Sequence, residues 1–237
     1  VTGDLWLVRH GESAANILAT RAEREGLESI AVDERDADVT LSDDGRAQAH
    51  ALGAWLADTE LGAIWTSPYE RARQTFALAA EAAGEDRPAR ADERLRDREL
   101  GILDGLTRHG VAARHPEEAE RRQRLGKYYH RPPGGESWAD VSLRLRSFLH
   151  DLPESDAATL IVAHDAVIML LTAILLDWDE ATLLDFAADH TVLNCSVTHL
   201  RRGENGWSVV VFSDVAHLER AGAPITVHPG NPDVEPE

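Results

Sequence analysis

Within five residues, Arg9-His10-Gly11-Glu12-Ser13 gathers a guanidinium, an imidazole, a carboxyl and a hydroxyl, directly after the apolar run Leu5–Val8. An imidazole can act as nucleophile, base or metal ligand. A guanidinium offers a planar fork suited to phosphate oxygens. Gly11 lets the backbone turn sharply and approach a ligand. On its own, Arg-His-Gly is equally an ordinary strand-to-loop turn. Two further runs end in a similar way. Ala63–Thr66 leads into Ser67-Pro68-Tyr69-Glu70-Arg71-Ala72-Arg73, and Leu160–Ala163 leads into His164-Asp165. Singly, each has an ordinary reading: Arg71 or Arg73 as a solvated helix arginine, and His164-Asp165 as a helix cap. Together they set Arg-His, Arg and His after three separate strands. In α/β sheets the carboxyl ends of the strands are where ligands bind. The three could converge on one dianion.

The elements that must position these groups follow from the pattern. Strands are expected at Leu5–Val8, Ala63–Thr66, Thr159–Ala163, Val192–Leu200 and Trp207–Phe212, with helices between them. The turn-rich stretch Arg201–Gly206 joins the last two as an antiparallel edge hairpin. Ser42 is expected to cap a helix through Ala57, with Asp43 and Asp44 in its first turn. Ser67, with Pro68 and Glu70, reads as the cap of the next helix. Ser137 opens another, and Asp165 opens one through Leu176. A helix is also expected after Gly11, its N-terminus aimed at an anion. The alternation predicts an α/β fold, a three-layer α-β-α sandwich on a largely parallel sheet. We expect a single domain over 1–220 and a peripheral Pro- and acid-rich tail over 221–237. The stretch Ile17–Val39 is acidic and poorly periodic.

Composition narrows the function classes. The 237 residues carry 42 acids against 24 Lys+Arg, a formal charge of −18. Such a field repels nucleic acid and anionic membrane, so neither is an expected partner. Against that field, Leu106–Gly134 is locally basic, at about +4. It is either a solvated helical face or a lid over an anionic ligand. Cys195 is the single cysteine and reads as core, and no basic-then-apolar signal stretch precedes the first strand. The expected location is cytoplasmic. His50, His150 and His217 lack metal-ligand spacing. Ser13 lacks the Gly-x-Ser-x-Gly setting of a hydrolase nucleophile.

At this point the chain resembles the histidine phosphatase superfamily, also called the phosphoglycerate mutase-like family. The matching pieces are Arg9–Ser13 with Asn16, Leu41–Gly45 with Gln48-Ala49, Ser67-Pro68 with Arg71-Ala72 and Gln74-Thr75, Leu95–Gly105, Gly135–Ser137, and Val162–His164. They span roughly residues 4 to 218 in order. The resemblance implies that His10 becomes a phosphohistidine, splitting one displacement into two. It implies that Arg9, Arg71 and His164 stabilise the transferred oxygens, and that Ser13, Asn16 and Arg98 meet phosphoryl or substrate. It implies a carboxylic acid that protonates the leaving oxygen and then activates water. Counting back from Gly101 places that acid at Asp97, where relatives commonly carry Glu; Glu99 is the rival. No cofactor or metal is called for.

The expected activity is a metal-independent phosphatase for a small phosphorylated metabolite, with a homodimer allowed. Phosphoglycerate mutase is the first alternative. It is weakened because the likeness to dedicated mutases fades over Leu106–Gly134; the resemblance implies that this basic insertion lies over the pocket mouth, so the lid reading is the expected one. A silent phospho-ligand scaffold is the second.

Overall fold

The computed structural model describes residues 3–153 and 157–228. In chain order the elements are β1 (Asp4–Arg9), α1 (Ala14–Glu25), α2 (Asp43–Ala57), β2 (Ala63–Thr66), α3 (Glu70–Ala83), β3 (Arg90–Ala91), α4 (Arg108–Arg114), α5 (Pro116–Tyr129), α6 (Trp138–Asp151), β4 (Thr159–Ala163), α7 (Asp165–Leu175), α8 (Glu180–Asp189), β5 (Val197–Gly203), β6 (Gly206–Asp214) and α9 (Ala216–Ala221). Among the described residues, six strands form one sheet in the order β3-β2-β4-β1-β5-β6. The pairs from β3 to β1 are parallel, and β5 and β6 are antiparallel at the edge. This is the expected α/β sandwich.

Strand alternation explains the three layers. Leu5 and Leu7 of β1, with Ile161 and Ala163 of β4, face Val141, Leu145 and Phe148 of α6 and Val167, Ile168 and Leu171 of α7. Val8, Leu160 and Val162 face the other way, onto Leu52 and Leu56 of α2, Ala72, Phe76 and Ala79 of α3, and Leu218 of α9. Helix α7 is buried from Ala166 through Ala173. Each of its large apolar side chains contributes roughly 1.5–3 kcal/mol of burial.

The register is what matters for function. Arg9 lies beside Ala163, and Val162 beside Thr66. The residues that follow these strand ends are therefore neighbours: His10, Ser67 and His164.

Several boundaries differ from expectation, each for a physical reason. The cap of α3 is Tyr69, not Ser67. The Ser67 hydroxyl instead accepts from the Tyr69 N–H and meets the His164 ring. Strand β5 starts at Val197, five residues late, because Cys195 adopts a left-handed conformation (φ 55°) that breaks the pleat. Cys195 is buried, as expected, but in this turn. The stretch from Ile17 is helical through Glu25, although only Ala22 of α1 is buried, so it shows no apolar stripe. Ser13 and Asn16 hold its start as a reciprocal capping box. The tail expected to be peripheral is tied down at points of its described part: Pro224 and Thr226 bond to Gln48 of α2, and His228 to Glu12 in the loop after β1. Residues 229–237 of that tail lie outside the described residues.

The basic stretch forms α4 and α5, with a kink at Gly126. Its cations meet acids and an aromatic ring: Arg114 with Glu28 at 2.8 Å, Arg121 with Glu118 at 3.1 Å, Arg131 with Asp140, and Lys127 over Trp138 at 4.3 Å. Among the described residues, no helix is long and apolar enough to cross a membrane.

Candidate active site

His10 follows β1 and is buried. Its Nδ1 lies 2.7 Å from the Gly11 carbonyl oxygen. A carbonyl only accepts, so Nδ1 carries the proton and Nε2 keeps its lone pair. Burial, with the charges of Arg71, His164 and Arg9, holds the ring pKa well below the usual histidine value. The ring is thus neutral at physiological pH and nucleophilic at Nε2. The His10 carbonyl accepts from the Cys195 N–H at 3.1 Å and from Asn194 Nδ2 at 3.3 Å. The left-handed backbone at Cys195 is what aims that N–H.

Gly11 is needed for a reason other than a turn. A Cβ there would stand 2.6 Å from the Gly45 oxygen, and one on Gly45 would stand 1.9 Å from the Glu12 oxygen. The loop carrying the imidazole and the start of α2 cross backbone to backbone.

His164, fully buried, follows β4. Its Nε2 lies 2.8 Å from Ser67 Oγ and its Nδ1 3.2 Å from Asp97 Oδ2. Its ring meets the His10 ring edge-on, centroids 5.2 Å apart. Arg71, in the first turn of α3, donates to Asp97 Oδ2 at 3.0 Å and lies over the Tyr69 ring at 5.0 Å. Burial alone would raise the Asp97 carboxyl. The His164 and Arg71 charges and a hydrogen bond from the Arg98 N–H outweigh it and leave the group well below the ordinary carboxylate value. Burial lowers His164 against the pull of Asp97. In this state Asp97 is a carboxylate, countered by Arg71, beside an imidazole.

Arg9 donates to the Val192 and His228 carbonyls at 2.6 and 2.8 Å, while its buried Nε has no hydrogen-bond partner. The backbone thus takes part of the fork expected to grip phosphate. Ser13 and Asn16 sit at the start of α1. Asn16 Oδ1 accepts from the Ser13 N–H and from Asn194 Nδ2. Glu99 points elsewhere. Its side chain is 50% exposed, against 22% for Asp97. It accepts from the Tyr69 hydroxyl at 3.0 Å. Arg98 turns to the backbone, donating to the Glu136 and His130 carbonyls and so anchoring the loop that carries Asp97.

Sequence reasoning missed Asp36. Its carboxylate and carbonyl both accept from Arg71, at 2.6 to 3.2 Å. It lies in the aperiodic stretch, where no pattern marks it. An anion entering the cluster must share or displace this contact. Asp36→Asn, which removes the charge and keeps the backbone acceptor, is expected to lower KM for a phosphomonoester about 3- to 10-fold and to tighten inhibition by inorganic phosphate. Unchanged KM and inhibition constants would show that Asp36 does not compete.

A neutral imidazole with a free lone pair thus stands at the ends of parallel strands, among two guanidiniums, a second imidazole and a carboxylate. The family model for the histidine phosphatase superfamily (branch 1) matches residues 5–215. The chain belongs to the histidine phosphatase superfamily. Within this superfamily, it is 36% identical over 148 residues to 2,3-bisphosphoglycerate-dependent phosphoglycerate mutase 2 of Gloeobacter violaceus, covering 60% of this chain and 66% of that one. It is 31% identical over 175 residues to 6-phosphofructo-2-kinase/fructose-2,6-bisphosphatase of Caenorhabditis elegans, covering 73% of this chain and 34% of that one. The match thus spans slightly less than two thirds of the first relative and about a third of the second. Among solved structures, a mycobacterial glucosyl-3-phosphoglycerate phosphatase in complex with inorganic phosphate superposes with a TM-score of 0.70. The identity is 27%, covering 91% of this chain and 99% of that one.

Proposed function

We propose that this chain is a phosphoric monoester hydrolase that works through a phosphohistidine on His10, without a metal ion. The observation that carries the reading is the His10 tautomer: Nδ1 is tied to the Gly11 oxygen, which leaves Nε2 to attack. Nε2 bonds to phosphorus as the ester P–O bond breaks. Asp97, protonated in the complex, gives its proton to the leaving oxygen. A bound dianion draws Arg71 and His164 away from Asp97 and adds negative charge beside it, and both changes raise its pKa into the range of an acid. In the second step Asp97, now a carboxylate, takes a proton from water, whose oxygen attacks the phosphohistidine. Phosphate leaves, and His10 returns to its starting form. Arg9, Arg71 and His164 stabilise the equatorial oxygens in both steps, the main demand of phosphoryl transfer.

The rim favours hydrolysis of an ester with an uncharged leaving portion over the mutase reading. A phosphoglycerate brings a carboxylate. Here Asp36 and Glu99 flank the cluster, and Arg98 is turned to backbone carbonyls. The phosphatase among the structural neighbours supports hydrolysis over isomerisation, although the substrate in its name is a phosphoglycerate derivative. A screen of phosphorylated metabolites by phosphate release, with isomerisation of 3-phosphoglycerate followed in parallel, tests this. Sugar phosphates are expected to show kcat/KM at least about tenfold above 3-phosphoglycerate, since like charge at a rim costs binding. Isomerisation outrunning phosphate release would establish the mutase. No release from any compound would support the scaffold.

A further inference from the structure

The fold is complete at α9, yet the chain continues as an extended segment back to the nucleophile's loop. Its side chains alternate as in a strand. Thr226 and His228 turn inward, while Ile225 and Val227 are 42% and 56% exposed. Gln48 Nε2 donates to the Pro224 carbonyl and to Thr226 Oγ1, both at 2.9 Å. Gln48 Oε1 in turn accepts from the Glu12 N–H at 2.9 Å. That N–H belongs to the same planar amide as the Gly11 carbonyl, the one that holds His10 Nδ1. Fixing one end of the amide fixes the other.

His228 adds a second hold. It is 9% exposed. Its Nε2 lies 2.5 Å from Glu12 Oε2 and its Nδ1 2.5 Å from Thr20 Oγ1 on α1. A carboxylate only accepts, so His228 donates from Nε2 to Glu12, while Nδ1 is hydrogen-bonded to the Thr20 hydroxyl. The other Glu12 oxygen accepts from Ser42 Oγ at 2.7 Å. The His228 carbonyl accepts from Arg9. A third link runs from the Thr226 carbonyl through Asn194 to the His10 carbonyl.

We propose that Pro224–His228 is a strap that fixes the tautomer and aim of His10, with His228 as its positioning residue. The kinetic consequence rests on the phosphohistidine reading; the tautomer consequence does not. With p-nitrophenyl phosphate, His228→Ala in the full chain is expected to lower kcat about 10- to 100-fold, the scale of sub-ångström misplacement of a reacting group. KM should stay within about threefold. His228→Gln, which keeps a donor toward Glu12, should recover most of the loss. The second readout is the ¹⁵N spectrum of the His10 ring, assigned with His10→Ala. The parent protein should show the Nδ1–H form, and His228→Ala a mixture of tautomers. An unchanged kcat in His228→Ala would overturn the proposal. So would an effect confined to KM, or a loss of folded protein equal to the loss of turnover in both variants. A parent protein without turnover, but with the tautomer shift intact, would leave the strap standing and remove the hydrolase reading.

Discussion

His10→Ala should abolish turnover while leaving the protein folded. The expected fall in kcat is at least about 10⁴-fold, because groups that act as one unit fail together when the nucleophile is removed. The fold should tolerate the change. The imidazole is desolvated among Arg9, Arg71 and His164, and their charges oppose its protonation, so removing it should cost the fold little. Its backbone contacts, to the Ala163 carbonyl and from Cys195, do not involve the side chain. Thermal melts by circular dichroism should therefore stay within a few degrees, as about 1 kcal/mol does in a chain of this size. Residual turnover above about 1% of the parent rate would mean that another group, or water directly, attacks phosphorus.

Asp97→Asn should give the second large effect, and its signature is the dependence on the leaving group. For an alkyl phosphate, kcat is expected to fall about 10²- to 10³-fold, the usual share of a general acid. For p-nitrophenyl phosphate, whose leaving oxygen needs no proton, the first step should be nearly unaffected. Water activation would still suffer, so the phosphorylated enzyme should accumulate as a burst. Glu99→Gln should change either rate by less than about threefold, since the Glu99 carboxylate meets the Tyr69 hydroxyl and Arg96 rather than His164 or Arg71. If Glu99→Gln showed the leaving-group pattern instead, the acid would be misassigned. Asp is one methylene shorter than Glu. The Arg98 side chain on the Glu136 and His130 carbonyls draws the loop in, so that Asp97 still reaches Arg71 and His164.

The parts of this site legible in the sequence are those carried by local rules. Apolar runs with charged ends located β1, β2 and β4, and parallel pairing then brought His10, Ser67 and His164 side by side. The caps at Ser42 and Ser137 were legible because a hydroxyl three residues before a free N–H is a local signal. Ser67 misled for the same reason: its hydroxyl has a tertiary partner in His164, and the helix starts two residues later. Asp36, Asn194 and His228 were illegible because each acts across a long sequence separation, Asp36 and His228 out of stretches without periodicity and Asn194 out of a run that reads as strand. The left-handed turn at Cys195 was hidden inside an apolar run that reads as strand. The basic stretch was legible as charge but not as function, since its partners Glu28, Glu118 and Asp140 are set by packing.

The central claim is most directly tested by trapping the intermediate. The protein would be mixed with a ³²P-labelled phosphomonoester, quenched in alkali within milliseconds and digested, and the labelled peptide identified by mass spectrometry. The account predicts an alkali-stable, acid-labile label on His10, formed and lost at rates that match turnover. Steady release of phosphate with His10 never labelled, or a label on any other side chain, would contradict it.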